Sequence, residues 1–166
     1  MRVNKDKMLL GFRIFLIVLM LGTLAFIFVN SCLPPEVSSE QSSAVGGFIT
    51  SLIPEGTDLY RFVAQYIRKI AHFTEYGMLG IEIALYIMIY EKRRVACALR
   101  AFLVPVFVGL SDETIQMFSE RGPAIYDVWV DIGGFIFFSS IAWAVMCISV
   151  LTYKFISKKI AEKREN

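Results

Sequence analysis

Four blocks of mostly apolar residues dominate the chain: Met8 to Val29, Phe73 to Tyr90, Cys97 to Phe118 and Val128 to Leu151. A helix crossing a hydrocarbon core about 30 Å thick needs roughly 20 such residues. The pattern predicts an all-α polytopic membrane protein, a bundle of four transmembrane helices forming one domain over residues 1–166. After the first block Pro34-Pro35 stops the helix, and the Ser-rich stretch from Ser38 to Gly47 predicts an external loop. From Leu59 the apolar positions change rhythm. Leu59, Phe62, Val63, Tyr66, Ile67 and Ile70 fall at helical spacing on one face, with Arg61, Gln65, Arg68 and Lys69 elsewhere on the surface. This predicts a short amphipathic helix at the membrane surface, capped by Thr57 or Asp58 and leading into the second span.

Of the 166 residues 56% are hydrophobic, and the net charge is only +2, so charge is informative through its distribution. Arg2, Lys5 and Lys7 precede the first span, Lys92, Arg93 and Arg94 separate the second and third, and Lys154, Lys158, Lys159, Lys163 and Arg164 follow the fourth. Positive charge near span ends stays in the cytoplasm, which predicts both termini inside and two loops outside. The basic tail fits anionic lipid headgroups and no nucleic acid. The first block is longer than the core of a signal peptide, and no A-x-A site follows it. Cys32, Cys97 and Cys147 are scattered, without redox or metal spacing.

Polar residues interrupt the later spans in a pattern that an anchor does not need. His72, Glu75 and Glu82 lie in span two, Asp112, Glu113 and Gln116 in span three, and Asp127 and Asp131 open span four after Arg121. With the predicted topology all but Glu82 meet at the outer ends of three helices. Glu82 stands ten residues, roughly 15 Å, deeper than His72. The steps Lys69, His72, Tyr76 and Asp112 to Gln116, Glu113 to Gln116 and Asp127 to Asp131 keep each group on one helix face. Gly77, Gly80, Gly133 and Gly134 permit close helix approach beside them. An ionisable group at mid-membrane costs roughly 2.5–3.5 kcal/mol on insertion scales, so these residues form either a site or a polar network fixing helix register.

These residues also resemble a family. Arg68-Lys69-Ile70-Ala71-His72-Phe73-Thr74-Glu75-Tyr76-Gly77-Met78-Leu79-Gly80 is similar to the K-x-x-H-F-x-E-Y-x-x-L motif of VanZ-like membrane proteins. Ser111-Asp112-Glu113-Thr114-Ile115-Gln116 resembles their S-D-E-x-x-Q. Arg121 followed by Asp127-Val128-Trp129-Val130-Asp131-Ile132-Gly133-Gly134 resembles their R…D-V-x-x-D-x-x-G. Asn30-Ser31 with Ser38-Ser39 and Ser42 is similar to the Ser-rich segment after the first span. The resemblance covers roughly residues 28 to 140. It implies the bacterial plasma membrane and a role in the cell envelope, and its name-giving member is an accessory factor in glycopeptide resistance, associated with teicoplanin.

Lys69, His72, Glu75, Tyr76, Asp112, Glu113, Gln116, Arg121, Asp127 and Asp131 therefore make up the candidate polar site. One reading has it bind or modify a lipid-linked or cell-wall ligand, with Arg68, Lys69 and Arg121 meeting an anionic headgroup and the carboxylates and His72 acting as acid and base. A second makes the cluster a structural module of the bundle. A third is a metal-dependent hydrolase on His72, Glu75, Asp112, Glu113, Asp127 and Asp131, whose oxygen-rich ligands suit magnesium, calcium or manganese better than zinc. No compact ligand motif, nucleophile motif or phosphate loop is present, so the residues assign no metal, no cofactor and no enzyme class. Membrane lipids are the partners expected on composition alone.

Overall fold

The computed structural model describes residues 2–90, 94–119 and 125–165. Among them are the helices α1 (Arg2–Cys32), α2 (Pro35–Ser51), α3 (Asp58–Tyr90), α4 (Arg94–Phe118) and α5 (Ile125–Glu165), and no strand. Stretches of α1, α3, α4 and α5 are long and apolar enough to cross a membrane. Their outward surfaces carry Phe15, Val18, Phe102, Phe107, Phe137 and Val145, more than half exposed in the isolated chain. Such a surface matches lipid, because apolar side chains there need no protein partner.

Two elements differ from the sequence expectation. The Ser-rich stretch is not a loop: it lies within α2, seventeen residues of helix. Pro34 ends α1, and Pro35 begins α2 at the first helical position, where its missing N–H is no loss. Serine is a weak helix former but no helix breaker, so packing decides. Gly46 sits against Ile67 of α3, and Thr50 Oγ1 donates to the Gly46 carbonyl at 2.7 Å. Val37, Ala44 and Phe48, seven and four residues apart, share an exposed face suited to a membrane surface. The amphipathic segment from Leu59, in turn, is no separate helix. It continues into span two as α3, with a break in helical geometry at Tyr66 (φ −113°, ψ 15°).

The closest packing joins α3 to α5, and glycines make it so. A Cβ on Gly134 would stand 2.1 Å from the Phe73 carbonyl oxygen, and one on Gly80 2.5 Å from that of Phe135. Gly77 faces the Phe138 ring, 2.2 Å from such a Cβ, whereas Gly133 has only a distant ring carbon at 3.7 Å. Around this crossing Tyr76, Leu79, Ile27 and Phe135 form the buried core. Helix α1 joins through a stripe of buried residues at Leu16, Thr23, Ile27 and Ser31, spaced for one helix face. Within it Thr23 Oγ1 donates to Glu82 Oε1 at 2.7 Å, so the deepest carboxylate of α3 is tied to α1. At the opposite end from α2, Arg13 donates to the Tyr86 hydroxyl at 2.9 Å and the Tyr90 hydroxyl to the Leu9 carbonyl at 2.8 Å.

Substitution by alanine should therefore grade with what the new methyl meets. Gly134→Ala and Gly80→Ala strike backbone that cannot rotate aside, and each should cost about 1–3 kcal/mol or prevent folding. Gly77→Ala should cost less, since a ring can shift, and Gly47→Ala, with open space around it, should be neutral or slightly stabilising. Unfolding of micelle-solubilised protein by SDS measures the series, and equal losses across it would contradict the packing. In the same assay Thr23→Val should cost about 1–2 kcal/mol. That exceeds the roughly 0.6 kcal/mol average for a hydrogen bond between membrane helices, because the acceptor is a buried carboxylate. Thr23→Ser should recover most of it.

Candidate functional site

The polar residues gather at the end of the bundle where α2 lies: those of α1, α4 and α5 occupy the last or first turns of their helices, and those of α3 follow its break at Tyr66. Ser31 is next to last in α1, Asp112 and Gln116 lie in the final two turns of α4, and Asp127 and Asp131 in the first two of α5. On α4 the four-residue step lets Gln116 Nε2 donate to Asp112 Oδ2 at 3.1 Å. Arg68 of α3 donates to Gln116 Oε1 at 3.3 Å. The Ser31 hydroxyl contacts Asp112 Oδ1, and its oxygen also lies 2.9 Å from the Ile27 carbonyl. Since a hydroxyl has one proton, the bond to Asp112 is what ties the helices. The result is a chain of polar contacts, Ser31 to Asp112 to Gln116 to Arg68, running from α1 through α4 to α3. Ser119 adds a bond from α4 to the Ser31 carbonyl at 2.8 Å.

His72 stands between the two innermost carboxylates. Its Nδ1 lies 3.7 Å from Asp112 Oδ2 and 3.5 Å from Asp131 Oδ1, longer than a direct hydrogen bond. Asp112 and Asp131 are both wholly buried. Among the described residues no hydrogen-bond donor reaches either oxygen of Asp131, nor Nδ1 of His72. Such groups are rare, because an unmet buried polar atom costs about 1–3 kcal/mol and a charged one more. One donor atom from each of His72, Asp112 and Asp131 lies within 4.8 Å of the others, a grouping that can hold a metal ion.

A cavity adjoins this group at His72. It measures about 260 Å³ and is walled by Gln65, Arg68, Lys69, His72 and Asp127. Lys69 Nζ is 3.5 Å from Asp127 Oδ1 and sits 4.6 Å from the centre of the Tyr126 ring. An apolar groove of about 500 Å³, lined by Phe62, Ile70, Phe73 and Tyr126, runs alongside and shares Tyr66, Lys69 and Val130 with the cavity.

Glu75 and Tyr76 border the His72 group closely enough to feel the charges of Asp112 and Asp131. Glu75 accepts from Asn30 Nδ2 at 3.3 Å and lines an apolar groove against α1 with Phe15, Leu19 and Met78. Tyr76 is part of the core, its hydroxyl buried without a hydrogen-bond partner among the described residues. Glu113 is buried one step along α4 from Asp112. Arg121 lies outside the described residues. Sequence reasoning left Thr23 and Ser31 out of the polar contacts. The signal available was their position, eight residues apart on the one stripe of α1 that turns inward.

The arrangement limits the chemistry. Ser31 faces Asp112 and not His72, so it lacks the imidazole base that activates a serine nucleophile. The cavity offers an anion the cationic donors of Arg68 and Lys69 and the imidazole of His72, behind which Asp112 and Asp131 lie.

No curated protein and no solved structure matches the chain significantly. One family model does, and it spans residues 12–149, from within α1 to the middle of α5. Its match takes in every helix of the polar site. With most of its length accounted for in this way, the chain belongs to the VanZ/LLP1 family.

Proposed function

We propose that this VanZ-like protein binds an anionic lipid-linked ligand at the polar end of its bundle, with that end in the outer leaflet of the bacterial plasma membrane. The observation that carries the reading is the pairing of two cavities. A polar one with Arg68, Lys69 and His72 in its wall shares Tyr66, Lys69 and Val130 with an apolar one. An amphiphile has those two halves. Its chain fits the groove of Phe62, Ile70 and Phe73, and its headgroup reaches the cations. Arginine suits a phosphate or carboxylate because its planar fork gives two parallel donors, and Lys69 adds a point charge. A contribution to glycopeptide resistance, teicoplanin included, belongs to the same proposal, since a protein that sequesters or alters a lipid-linked wall precursor changes what such drugs meet.

A structural reading has its own support, because the contacts from Ser31 through Asp112 and Gln116 to Arg68 link α1, α4 and α3 whether or not a ligand is bound. The two readings part at Lys69, which lies at the rim and outside that chain.

Binding of a polyprenyl phosphate to the purified protein, followed by native mass spectrometry, separates them. Lys69→Ala and Arg68→Ala should each weaken binding by about 10–100-fold, the range of a charge-assisted hydrogen bond. Lys158→Ala, in the tail of α5, should leave it unchanged. Equal losses at Lys158 and Lys69 would mean general attraction of anions, and no loss at Lys69 would leave the structural reading. Teicoplanin susceptibility of cells carrying each variant should follow the binding order.

Orientation is checked separately. In a cysteine-free background, Ser43→Cys on α2 should react with an impermeant maleimide from outside intact cells and Arg93→Cys should not. The reverse pattern would put the site in the inner leaflet.

A further inference from the structure

We infer that His72, Asp112 and Asp131 together hold a divalent first-row metal ion, Mn²⁺ or Zn²⁺, with open coordination positions beside the cavity. The inference goes beyond lipid binding and does not rest on it.

Spacing is the first support. A metal ion about 2.0–2.2 Å from each donor fixes donor–donor separations of roughly 3.0–3.5 Å in tetrahedral or octahedral geometry. His72 Nδ1 lies 3.5 Å from Asp131 Oδ1 and 3.7 Å from Asp112 Oδ2. A protonated imidazole gripping the same carboxylates would close to about 2.7–2.9 Å. His72 thus stands at ion-pair distance from both carboxylates, near the separation that a shared cation imposes, and the three donor atoms lie within 4.8 Å of one another.

The second support is independent of the clustering. Asp131 is wholly buried, its one ion-pair partner among the described residues is His72 at 3.5 Å, and neither of its oxygens has a partner at full hydrogen-bond geometry. A buried carboxylate so weakly met is costly, and a metal cation shared with His72 and Asp112 resolves it. Two carboxylates and a neutral imidazole balance a charge of +2.

Supporting bonds complete the picture. Metal-ligating groups are oriented by outer partners, and here Gln116 Nε2 and the Ser31 hydroxyl hold Asp112 while Arg68 holds Gln116. Imidazole as one of three ligands favours first-row metals over calcium or magnesium. Three protein ligands leave positions free, as in sites that meet water or a substrate oxygen. His72 is itself in the cavity wall, which sets the group beside the space lined by Arg68 and Lys69.

The test uses the full-length, tag-free protein in detergent, stripped with a chelator and titrated with MnCl₂ or ZnCl₂ alone. Elemental analysis after desalting should give about one ion per chain. Thermal unfolding should shift upward by about 5–10 °C at an ion concentration near a hundredfold above Kd. Asp131→Asn and His72→Gln should each weaken binding by at least the roughly 10–100-fold that loss of an outer partner costs. Glu82→Gln, outside the group, should bind as the natural chain does. A crossing in stability guards against a trivial folding defect. Without metal, Asp131→Asn should melt higher than the natural chain, because it removes an unmet buried charge, and with metal the order should reverse. If Asp131→Asn does not fold, His72→Gln alone decides. Absence of a metal-dependent shift in the natural chain would overturn the inference, as would equal binding by the folded variants.

Discussion

The backbones of α3 and α5 touch where Gly134 meets the carbonyl of Phe73, and the site depends on that contact. Phe73 follows His72 directly, and Gly134 is one helical step beyond Asp131. The glycine thus sets the separation of imidazole and carboxylate from a position that touches neither ligand. A second close approach, Gly80 against Phe135, lies two turns further along α3 and one residue further along α5. With α3 and α5 so joined, α4 needs only to present Asp112 to the same point, and α1 closes the group with Ser31. Small residues matter more here than in a soluble core. Lipid is as apolar as leucine, so membrane helices associate through close packing and polar bonds.

Much of this was legible in the sequence, for reasons that differ by feature. The spans announce themselves because lipid demands about twenty apolar residues, but their ends do not. Hydropathy reports where the hydrocarbon stops, whereas a helix continues as long as its backbone bonds are met. Hence α1 reaches back to Arg2 and α5 runs on to Glu165, past the apolar blocks. The helix α2 was hidden for a related reason: its serines and paired glycines read as loop, and its support is tertiary, at Gly46 and Ile67. The meeting of His72, Asp112 and Asp131 was foreseeable, since alternating helix directions bring their ends to one depth. Which oxygen faces which donor was not. Glu75 follows the same helical steps as His72, yet three residues turn it about 60° away and toward Asn30.

Charge at the site is divided among helices. The cations Arg68 and Lys69 come from α3, beside its own Glu75, while Asp112 and Glu113 come from α4 and Asp127 and Asp131 from α5. Span four's first turns and the end of span three carry carboxylates alone, and the assembled bundle sets α3's cations beside them. That gives the polar residues a structural role as well, because a slip of α4 or α5 by one turn would move a carboxylate about 5.4 Å from its partners. Scaffold and site are made of the same side chains. A loss of function at Asp112 is accordingly informative only beside a measure of folding, and the same measure is needed at Lys69, whose ion pair with Asp127 joins α3 to α5.

The order of charge along the cavity also bears on how far a ligand can enter. Arg68, Lys69 and His72 line the cavity, and Asp112 and Asp131 lie behind His72. At an effective dielectric constant near 20, two like unit charges 5 Å apart repel by about 3 kcal/mol. Two buried carboxylates therefore oppose a descending phosphate by about twice that, more than the pull of a single exposed lysine that already faces Asp127. On the proposed lipid-binding reading, ionised carboxylates would hold a headgroup level with Lys69, its chain in the groove of Phe62 and Phe73. A divalent cation on the pair would cancel that repulsion and let the same headgroup approach His72. On that reading the charge state at Asp112 and Asp131 decides how deep the head of an anionic lipid enters.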